Sequence, residues 1–219
     1  TSLSDVDNDT DLFWLCNPNN PTGQMIDRDR ITSFIESYPR MTIVIDQSYQ
    51  YFTDKKGLEI ADAIKYKNVI LLHSMTKRFA IPGLRLGYIT ADAELTARAK
   101  AYCMPWSVNQ LAQCAGEFLV ENDSLFPFDV TAYLSETRRF RKQLSTIGGM
   151  EVSATDTHFF LCRLINKTAA ELKTYLADNH GILIRDASNF RGLNTSFFRL
   201  ATQSPSENDN LVKIIRSWI

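Results

Sequence analysis

The sequence predicts an α/β fold with a mostly parallel sheet, followed by a smaller α+β domain. Three short apolar runs in the first part of the chain alternate with stretches of helical periodicity. The polar residues Asn20, Asp46 and Lys77 follow these runs at intervals of 26 and 31 residues, close to the roughly 30 residues of one strand–helix–strand unit. Beyond residue 130 the pattern changes to short strands flanked by helices. We therefore expect a large domain over residues 1–130 and a small domain over residues 131–219.

The first apolar run, residues 11–17, leads into a turn at residues 18–23 (PNNPTG). Because proline fixes its own φ and glycine permits a close backbone approach, this turn can hold the Asn20 amide rigidly at the carboxyl end of a strand. The alternative interpretation is an ordinary proline-rich turn. Residues 27–38 then show helical spacing of their apolar residues, with Asp27 as a candidate N-cap.

The second and third apolar runs, residues 41–45 and 68–73, are predicted to be buried strands. The second run ends at Asp46 and is followed by Tyr49, and a short helix over residues 59–67 separates it from the third run. Open α/β sheets bind ligands outside the carboxyl ends of their parallel strands. We therefore expect the polar groups that follow these strands to meet at one edge of the sheet.

Ser74 and Lys77 follow the third strand, and Arg85 lies eight residues after the lysine. Burial at the end of a strand disfavours the charged form of an amine and favours the neutral, nucleophilic form that makes Schiff bases. Arg85 is then a candidate to hold an anion nearby. Two other interpretations stay open, because a lysine near a strand end is commonly a solvated surface residue and the Ser-x-x-Lys spacing also occurs in serine acylases.

The rest of the chain alternates between helical and extended patterns. A break at Pro105 separates two helices, and Ser107 is the candidate N-cap of the second. The predicted helices cover residues 92–102, 107–122, 129–147, 168–179 and 207–218. The predicted strands lie around residue 152 and over residues 159–164, 182–185 and 197–200.

The composition is that of an ordinary globular chain. Its 219 residues are 44% hydrophobic and 22% charged, which is enough to bury a sizeable core. The formal net charge of -1 gives no reason to expect a nucleic acid or an anionic membrane as a partner. No apolar run approaches the length of a membrane span, and residues 1–11 are acidic and polar, unlike a signal peptide. We expect a cytoplasmic protein.

The four cysteines are far apart and form no Cys-x-x-Cys pair. Each lies among apolar residues, which predicts buried free thiols in a reducing compartment and no metal site. They are Cys16, Cys103, Cys114 and Cys162.

Several motifs follow one another along the chain. They are residues 17–23 (NPNNPTG), 46–49 (DQSY), 74–88 (SMTKRFAIPGLRLGY) and 197–200 (FFRL). Together they resemble the class I and II aminotransferases, which are enzymes of fold type I that use pyridoxal 5'-phosphate (PLP). The resemblance covers essentially the whole chain. It implies a large domain of three layers, α/β/α, around the mostly parallel sheet, and PLP as the cofactor.

The resemblance also implies roles for individual residues toward the cofactor. Lys77 would form the Schiff base with PLP and shuttle protons once the substrate displaces it. Asp46 would pair with the pyridine nitrogen, because a carboxylate there keeps the ring protonated and makes it a better electron sink. Tyr49 and Asn20 would hydrogen-bond the phenolic oxygen of the cofactor.

Five further residues receive binding roles by resemblance. Ser74 and Arg85 would bind the cofactor phosphate, and Arg199 would bind the substrate α-carboxylate. A finer resemblance, spread over three segments, is to family members whose substrates carry a phosphate. Arg185 and Arg191 are the candidates for the extra basic group that such a substrate requires, with a surface ion pair as the alternative for each. The segments are residues 77–85, 104–109 and 184–193.

The sequence departs from the family pattern in three places. Gln47 stands where the family commonly has an acid, and His158 stands where relatives often have asparagine. The N-terminal part of the family, with its phosphate loop and the aromatic residue that stacks on the cofactor, is expected to be missing. We therefore expect a fragment with an exposed sheet edge that binds PLP poorly by itself, and a homodimer in the full-length form.

Three functional interpretations remain open at this point. The leading one is a PLP-dependent enzyme, either a decarboxylase or a transaminase, that acts on a phosphorylated amino acid or amine. The second is a PLP-binding regulatory domain, and the third is a noncatalytic fragment. The intact set of Lys77, Asp46 and Arg199 favours the enzyme.

Overall fold

A computed structural model of the chain describes residues 3, 6–7 and 9–219. Strands and helices alternate along the first part of the chain, as the spacing of apolar runs predicts. The strands are β1 (Leu12–Cys16), β2 (Thr42–Asp46), β3 (Val69–Ser74), β4 (Gly87–Ala91), β5 (Met150–Val152), β6 (Phe159–Leu164), β7 (Arg185–Asp186) and β8 (Phe197–Ala201). The helices are α1 (Arg28–Ser37), α2 (Ile60–Ala63), α3 (Met75–Arg78), α4 (Ala93–Ala101), α5 (Gln110–Glu121), α6 (Val130–Leu144), α7 (Ala169–His180) and α8 (Pro205–Trp218).

The described residues divide into two compact units. The first comprises the described residues up to Pro18 together with Met25–Tyr51 and Lys55–Phe128, and the second comprises Asn19–Gln24, Phe52–Asp54 and Asp129–Ile219. The turn that carries Asn20 thus belongs to the second unit. A division into compact units does not show that either unit folds by itself. The domains expected over residues 1–130 and 131–219 therefore stay a prediction.

The first unit contains a four-stranded sheet in the order β1-β2-β3-β4. The first three strands are parallel, and Cys16, Asp46 and Leu72 lie side by side in register. The carboxyl ends of these strands therefore meet at one edge of the sheet, and the predicted mostly parallel sheet is confirmed. The apolar side chains of these strands pack with α1 into one core, for example Ile31, Ile45 and Leu71.

Strand β4 is a feature that the sequence analysis missed. It pairs antiparallel with β3, over residues for which no strand was predicted. Its side chains are exposed or only half-buried along its whole length. They therefore show no alternation of apolar and polar residues from which a strand could be predicted.

Helix α5 begins later than predicted. Its N-cap is Asn109, whose side-chain oxygen accepts a hydrogen bond from the backbone N–H of Ala112. The predicted cap at Ser107 is wrong, because residues 107–109 are not helical and the helix begins at Gln110. The predicted helix over residues 59–67 shortens to a single turn, and the strand predicted at residues 182–185 is reduced to two residues, Arg185 and Asp186.

The second unit contains an antiparallel sheet in the order β5-β6-β8-β7. One face of this sheet packs against α6, α7 and α8, where fully buried Phe140, Phe160 and Phe198 form the centre of the core. Side chains alternate between the two faces of a strand. Residues on either side of Phe198, such as Arg199, therefore lie on the face opposite the core.

Two of the four cysteines contradict the expectation of burial. Cys103 and Cys114 are exposed, Cys16 is half-buried and Cys162 is buried, and all four are free thiols. Cys103 lies just after α4 and Cys114 lies in α5, which also exposes Leu111, Phe118 and Val120. In the described part of the chain, no helix has both the length and the apolar composition that crossing a bilayer requires.

The tight turn at Gly23 yields a test of the second unit. Gly23 has a φ of 71°, and a Cβ there would overlap Thr155 Oγ1 and the Phe159 carbonyl oxygen. We expect Gly23→Ala to lower the free energy of unfolding by at least about 2 kcal/mol, because both backbone strain and overlap oppose it. Urea unfolding measures the change.

Gly181→Ala is the matched control for this substitution. Gly181 has a similar φ of 64°, but no atom lies within 4 Å of the added Cβ. It should cost only about 1 kcal/mol, the penalty of the left-handed backbone alone. Equal losses in the two variants would contradict the close packing at Gly23.

Candidate functional site at the sheet edge

Asp46 is the last residue of β2 and lies at the edge where the parallel strands end. Its Oδ1 accepts two hydrogen bonds from Ser48, at 2.9 Å from the backbone N–H and at 2.6 Å from the hydroxyl. This local turn is typical of aspartate and holds the carboxylate in one orientation. Within the described part of the chain no hydrogen bond goes to Oδ2, so this oxygen can accept a proton donor from a ligand.

The residue after Asp46 is Gln47, an amide where the family commonly has an acid, and the structure shows a partner for it. Its side chain is buried, and Nε2 donates a hydrogen bond of 2.8 Å to the Leu58 carbonyl. An acid at this position has no N–H to donate, so the buried carbonyl would lose its partner. The departure from the family pattern at residue 47 therefore has a structural role of its own.

Lys77 lies in the one-turn helix α3, directly after β3. Its ammonium nitrogen is 6.0 Å from the centre of the Tyr49 ring, so the lysine and the phenol that follow neighbouring strands come close together. The lysine is exposed, and the expectation that the strand end buries it is wrong. The reason is the turn of α3, which buries Met75 and Thr76 and leaves Lys77 on its exposed side.

Ser74 and Arg85 lie on the two chain segments that meet beside α3. Ser74 ends β3 and is paired with Gly87, the first residue of β4. Arg85, two residues before Gly87, has a left-handed backbone with a φ of 56°, and its guanidinium donates to the Pro82 carbonyl at 3.1 Å. The structure therefore brings both predicted phosphate ligands to the sheet edge that carries Lys77.

A small cavity beside Ser74 was not foreseen. It has a volume of about 220 Å³, and its lining includes Tyr51, Arg78 and Tyr88. The Arg78 guanidinium lies 5.7 Å from the centre of the Tyr51 ring. Burial and a hydrogen bond with Tyr51 raise the pKa of Tyr88 to about 12, so this phenol stays protonated at neutral pH. Arg78 and Tyr88 lie within the motif of residues 74–88 that contains Lys77. Membership of this motif was the sequence signal by which these two residues could have been assigned to the site.

In the second unit, Asn20 and Arg199 form one hydrogen-bonded pair. Nη1 of Arg199 donates to Oδ1 of Asn20, and the guanidinium lies 5.1 Å from the centre of the Phe159 ring. The turn around Asn20 is itself closed by backbone hydrogen bonds at both ends of residues 19–24. The amide that the turn was predicted to hold rigidly thus fixes the position of an arginine 179 residues away in sequence.

Arg185 and Arg191 differ in their relation to Arg199. Arg185 lies directly opposite Arg199 in the β7–β8 ladder, so both side chains leave the same face of the sheet. Arg185 also donates to Oδ1 of Asn189 at 3.0 Å. Arg191 is exposed in a turn, and the part of the chain that the structure describes offers it no hydrogen bond or ion pair. Of the two candidates, only Arg185 is brought next to Arg199.

Comparison with known proteins shows where the chain belongs. The family model "Aminotransferase class I and II" matches residues 2–215. Among curated relatives, a histidinol-phosphate aminotransferase from Caldanaerobacter subterraneus is 32% identical over 94% of this chain and 56% of its own length. A threonine-phosphate decarboxylase from Salmonella typhimurium is 32% identical over 95% of this chain and 58% of its own length.

A solved structure adds a likeness in three dimensions. The L-threonine-O-3-phosphate decarboxylase from Porphyromonas gingivalis is 39% identical, with a TM-score of 0.94 over 98% of this chain and 66% of that one. The chain belongs to the class I and II aminotransferase family, whose members are PLP-dependent enzymes. It spans 56% and 58% of the length of the two curated relatives named above.

The groups of the first unit fit the chemistry of PLP. The cofactor presents an aldehyde, a basic ring nitrogen, a phenolic oxygen and a phosphate. The unit offers the Lys77 amine, a carboxylate oxygen of Asp46 with room for a donor, the Tyr49 phenol, and the Ser74 and Arg85 pair. Each cofactor group thus has a chemically matched partner among these residues.

The Asn20–Arg199 contact can be tested without any ligand. We expect Asn20→Ala and Arg199→Met to be non-additive by about 1 kcal/mol in a double-mutant cycle, because each removes the same hydrogen bond. Urea unfolding of the two single variants and the double variant gives the coupling. Asn20→Asp keeps an acceptor oxygen and is the control that should retain it. Strictly additive losses would contradict the pairing.

Proposed function

We propose that the complete protein is a PLP-dependent enzyme that decarboxylates L-threonine O-3-phosphate. The observation that carries the PLP part is the meeting of Asp46, Tyr49 and Lys77 at one edge of a parallel sheet. The likeness to a threonine-phosphate decarboxylase, at 39% identity over nearly the whole chain, supports the choice of substrate. The cofactor, the substrate and the residue roles below are parts of this proposal.

Lys77 and Asp46 carry the reactive roles. Lys77 would hold the cofactor through its aldehyde group, and its amine would carry the proton that is returned to the substrate α-carbon. Oδ2 of Asp46 would accept a hydrogen bond from the protonated ring nitrogen, and Ser48 holds the carboxylate in one orientation through its two hydrogen bonds to Oδ1. When bound, PLP supplies an electron sink that labilises the α-carbon bond standing perpendicular to the ring plane.

The other residues bind and orient. Ser74 and Arg85 hold the cofactor phosphate, because a guanidinium and a hydroxyl offer several donors to one anion. Tyr49 and Asn20 donate hydrogen bonds to the phenolic oxygen. These fixed contacts keep the ring in one orientation, on which the choice of the broken bond depends.

Two arginines account for a substrate with two anionic groups. Arg199 binds the α-carboxylate, and its position is fixed by Asn20. Arg185 leaves the same face of the sheet from the neighbouring strand and binds the substrate phosphate, with Arg191 as the second candidate. Anchoring both ends of the substrate sets the direction of the carboxylate bond relative to the ring, which favours loss of carbon dioxide.

Transamination of histidinol phosphate is the alternative function. The relative from Caldanaerobacter subterraneus, at 32% identity over 94% of this chain, favours it. Lys77, Asp46 and the phosphate ligands would serve it equally well, because both reactions begin with the same cofactor chemistry. The two functions differ in which bond is broken, and therefore in substrate anchoring.

We also propose that the complete protein is a cytoplasmic homodimer. In this chain the segment that links α4 to α5 exposes Tyr102, Met104 and Trp106 by 89%, 77% and 96%. Large apolar side chains that lie close together on a surface are typical of an interface. Size-exclusion chromatography with light scattering on the complete protein measures the oligomeric state.

The lysine assignment has a direct chemical test. Borohydride reduction of the complete protein with PLP should fix the cofactor on Lys77, and peptide mapping locates it. Lys77→Ala should abolish both the visible absorbance band and the label. Lys67→Ala is the control, because Lys67 is another exposed lysine of the same unit but its amine forms an ion pair with Asp92. Label on Lys67 or another lysine would show that the assignment is wrong.

The substrate is tested with O-phospho-L-threonine in the absence of a keto acid. We expect release of carbon dioxide and aminopropanol phosphate in equal amounts. Arg185→Gln should raise the KM about tenfold, because a charge-assisted contact to the phosphate is lost. Arg163→Gln, which removes an exposed arginine of β6 that pairs with Glu151, should leave the KM unchanged.

Two outcomes would count against this choice of substrate. No release of either product, together with turnover of histidinol phosphate that depends on 2-oxoglutarate, would favour the aminotransferase. Equal effects of Arg185→Gln and Arg163→Gln on the KM would show that Arg185 does not bind the substrate.

A further inference from the structure

His73 is a buried polar residue that the proposed function does not use. It lies in β3, one residue before Ser74, with a relative exposure of 1%. Its ring stacks on Tyr88 of β4, with centres 4.6 Å apart and planes inclined by 22°. Both ring nitrogens have side-chain partners, because Nδ1 lies 3.2 Å from Nε2 of Gln50 and Nε2 lies 2.6 Å from the Thr90 hydroxyl.

These partners define one tautomer of the imidazole. The amide nitrogen of Gln50 can only donate, so Nδ1 of His73 accepts and carries no proton. Nε2 then carries the proton and donates it to the Thr90 hydroxyl. Burial lowers the pKa of His73, which agrees with a neutral ring that accepts on one side and donates on the other.

Gln50 connects this buried ring to the proposed site. It directly follows Tyr49 and begins a single 3-10 turn, Gln50–Phe52. Its backbone N–H donates to the Gln47 carbonyl at 3.0 Å, which closes the turn after Asp46. The side-chain bond to His73 ties the same turn to the neighbouring strand β3. The Tyr49 phenol therefore projects from a turn that is held at one end by Asp46 and Ser48 and at the other by Gln50 and His73.

We propose that His73 is a positioning residue, which through Gln50 fixes the turn at residues 47–52 and thereby the place of the Tyr49 phenol relative to Lys77. The role of the phenol toward the cofactor rests on the proposed function. The fixing of the turn does not, and it can be measured in the protein without PLP.

Two substitutions separate the two sides of the ring. In His73→Asn the amide oxygen stands as many bonds from the backbone as Nδ1, so it can still accept from Gln50. In His73→Gln the amide group reaches toward the place of Nε2, so it keeps Thr90 and loses Gln50. Both variants lose the stacking on Tyr88, which makes each a control for the other.

The first measurement uses the cofactor-free complete protein. Hydrogen exchange of the backbone amides of residues 48–51 should be about fivefold faster in His73→Gln than in His73→Asn, the value expected for one neutral hydrogen bond. Gln50→Leu should reproduce the His73→Gln rate. The double variant Gln50→Leu/His73→Gln should show no further increase, because the two substitutions break one contact.

The second measurement uses the complete protein loaded with PLP. The visible absorbance of the bound cofactor is followed as the pH is varied, and the pH at half of the total change is the midpoint. This midpoint should shift in His73→Gln and Gln50→Leu and stay near that of the parent in His73→Asn. A parent protein that shows no visible band with PLP would refute the proposed function and leave the exchange experiment as the test of His73. Equal exchange rates in His73→Asn and His73→Gln would overturn the proposal, because His73 would then act through packing alone.

Discussion

The candidate site of the first unit depends on the register of its parallel strands. Cys16, Asp46 and Leu72 lie side by side, and the ladder continues past them through the backbone bond from the Gln47 N–H to the Leu72 carbonyl. A slip of one residue in β2 would move Asp46 to the opposite face, because side chains alternate along a strand. The fully buried residues Ile43 and Ile45 set this register, since both side chains must reach the core that contains α1.

Polar side chains at the sheet edge are each stabilised by hydrogen bonds to groups close to them in space. Asp46 is held by Ser48, Gln47 by the Leu58 carbonyl, and His73 by Gln50 and Thr90. A buried polar group without a partner costs about 1–3 kcal/mol, so each of these contacts offsets the cost of placing a polar residue beside the core. The same contacts restrict the orientation of the turn that carries the phenol. Stability and preorganisation of the site therefore have a common physical origin here.

The second unit shows how one strand serves both a core and a surface. In β8, Phe198 and Leu200 pack against the helices, and Arg199 between them lies on the opposite face. The alternation that buries the phenylalanine thus presents the arginine, and pairing with β7 places Arg185 beside it. Two cations that leave one face without an acid between them repel each other. The hydrogen bond to Asn20 holds one of them, and binding of an anion would relieve the repulsion of the pair.

The sequence by itself determined the α/β class, the strand that ends at Asp46 and the family of the chain. These features follow from local signals, namely the period of apolar residues and motifs of a few consecutive residues. Tertiary structure alone decided the antiparallel pairing of β4, the exposure of Lys77 and the contact between Asn20 and Arg199. Each of these depends on groups that are distant in sequence or on the direction of a short helix, and no local pattern encodes such relations. The partners of His73 belong to the same class, because its ring is bound by side chains from two other segments.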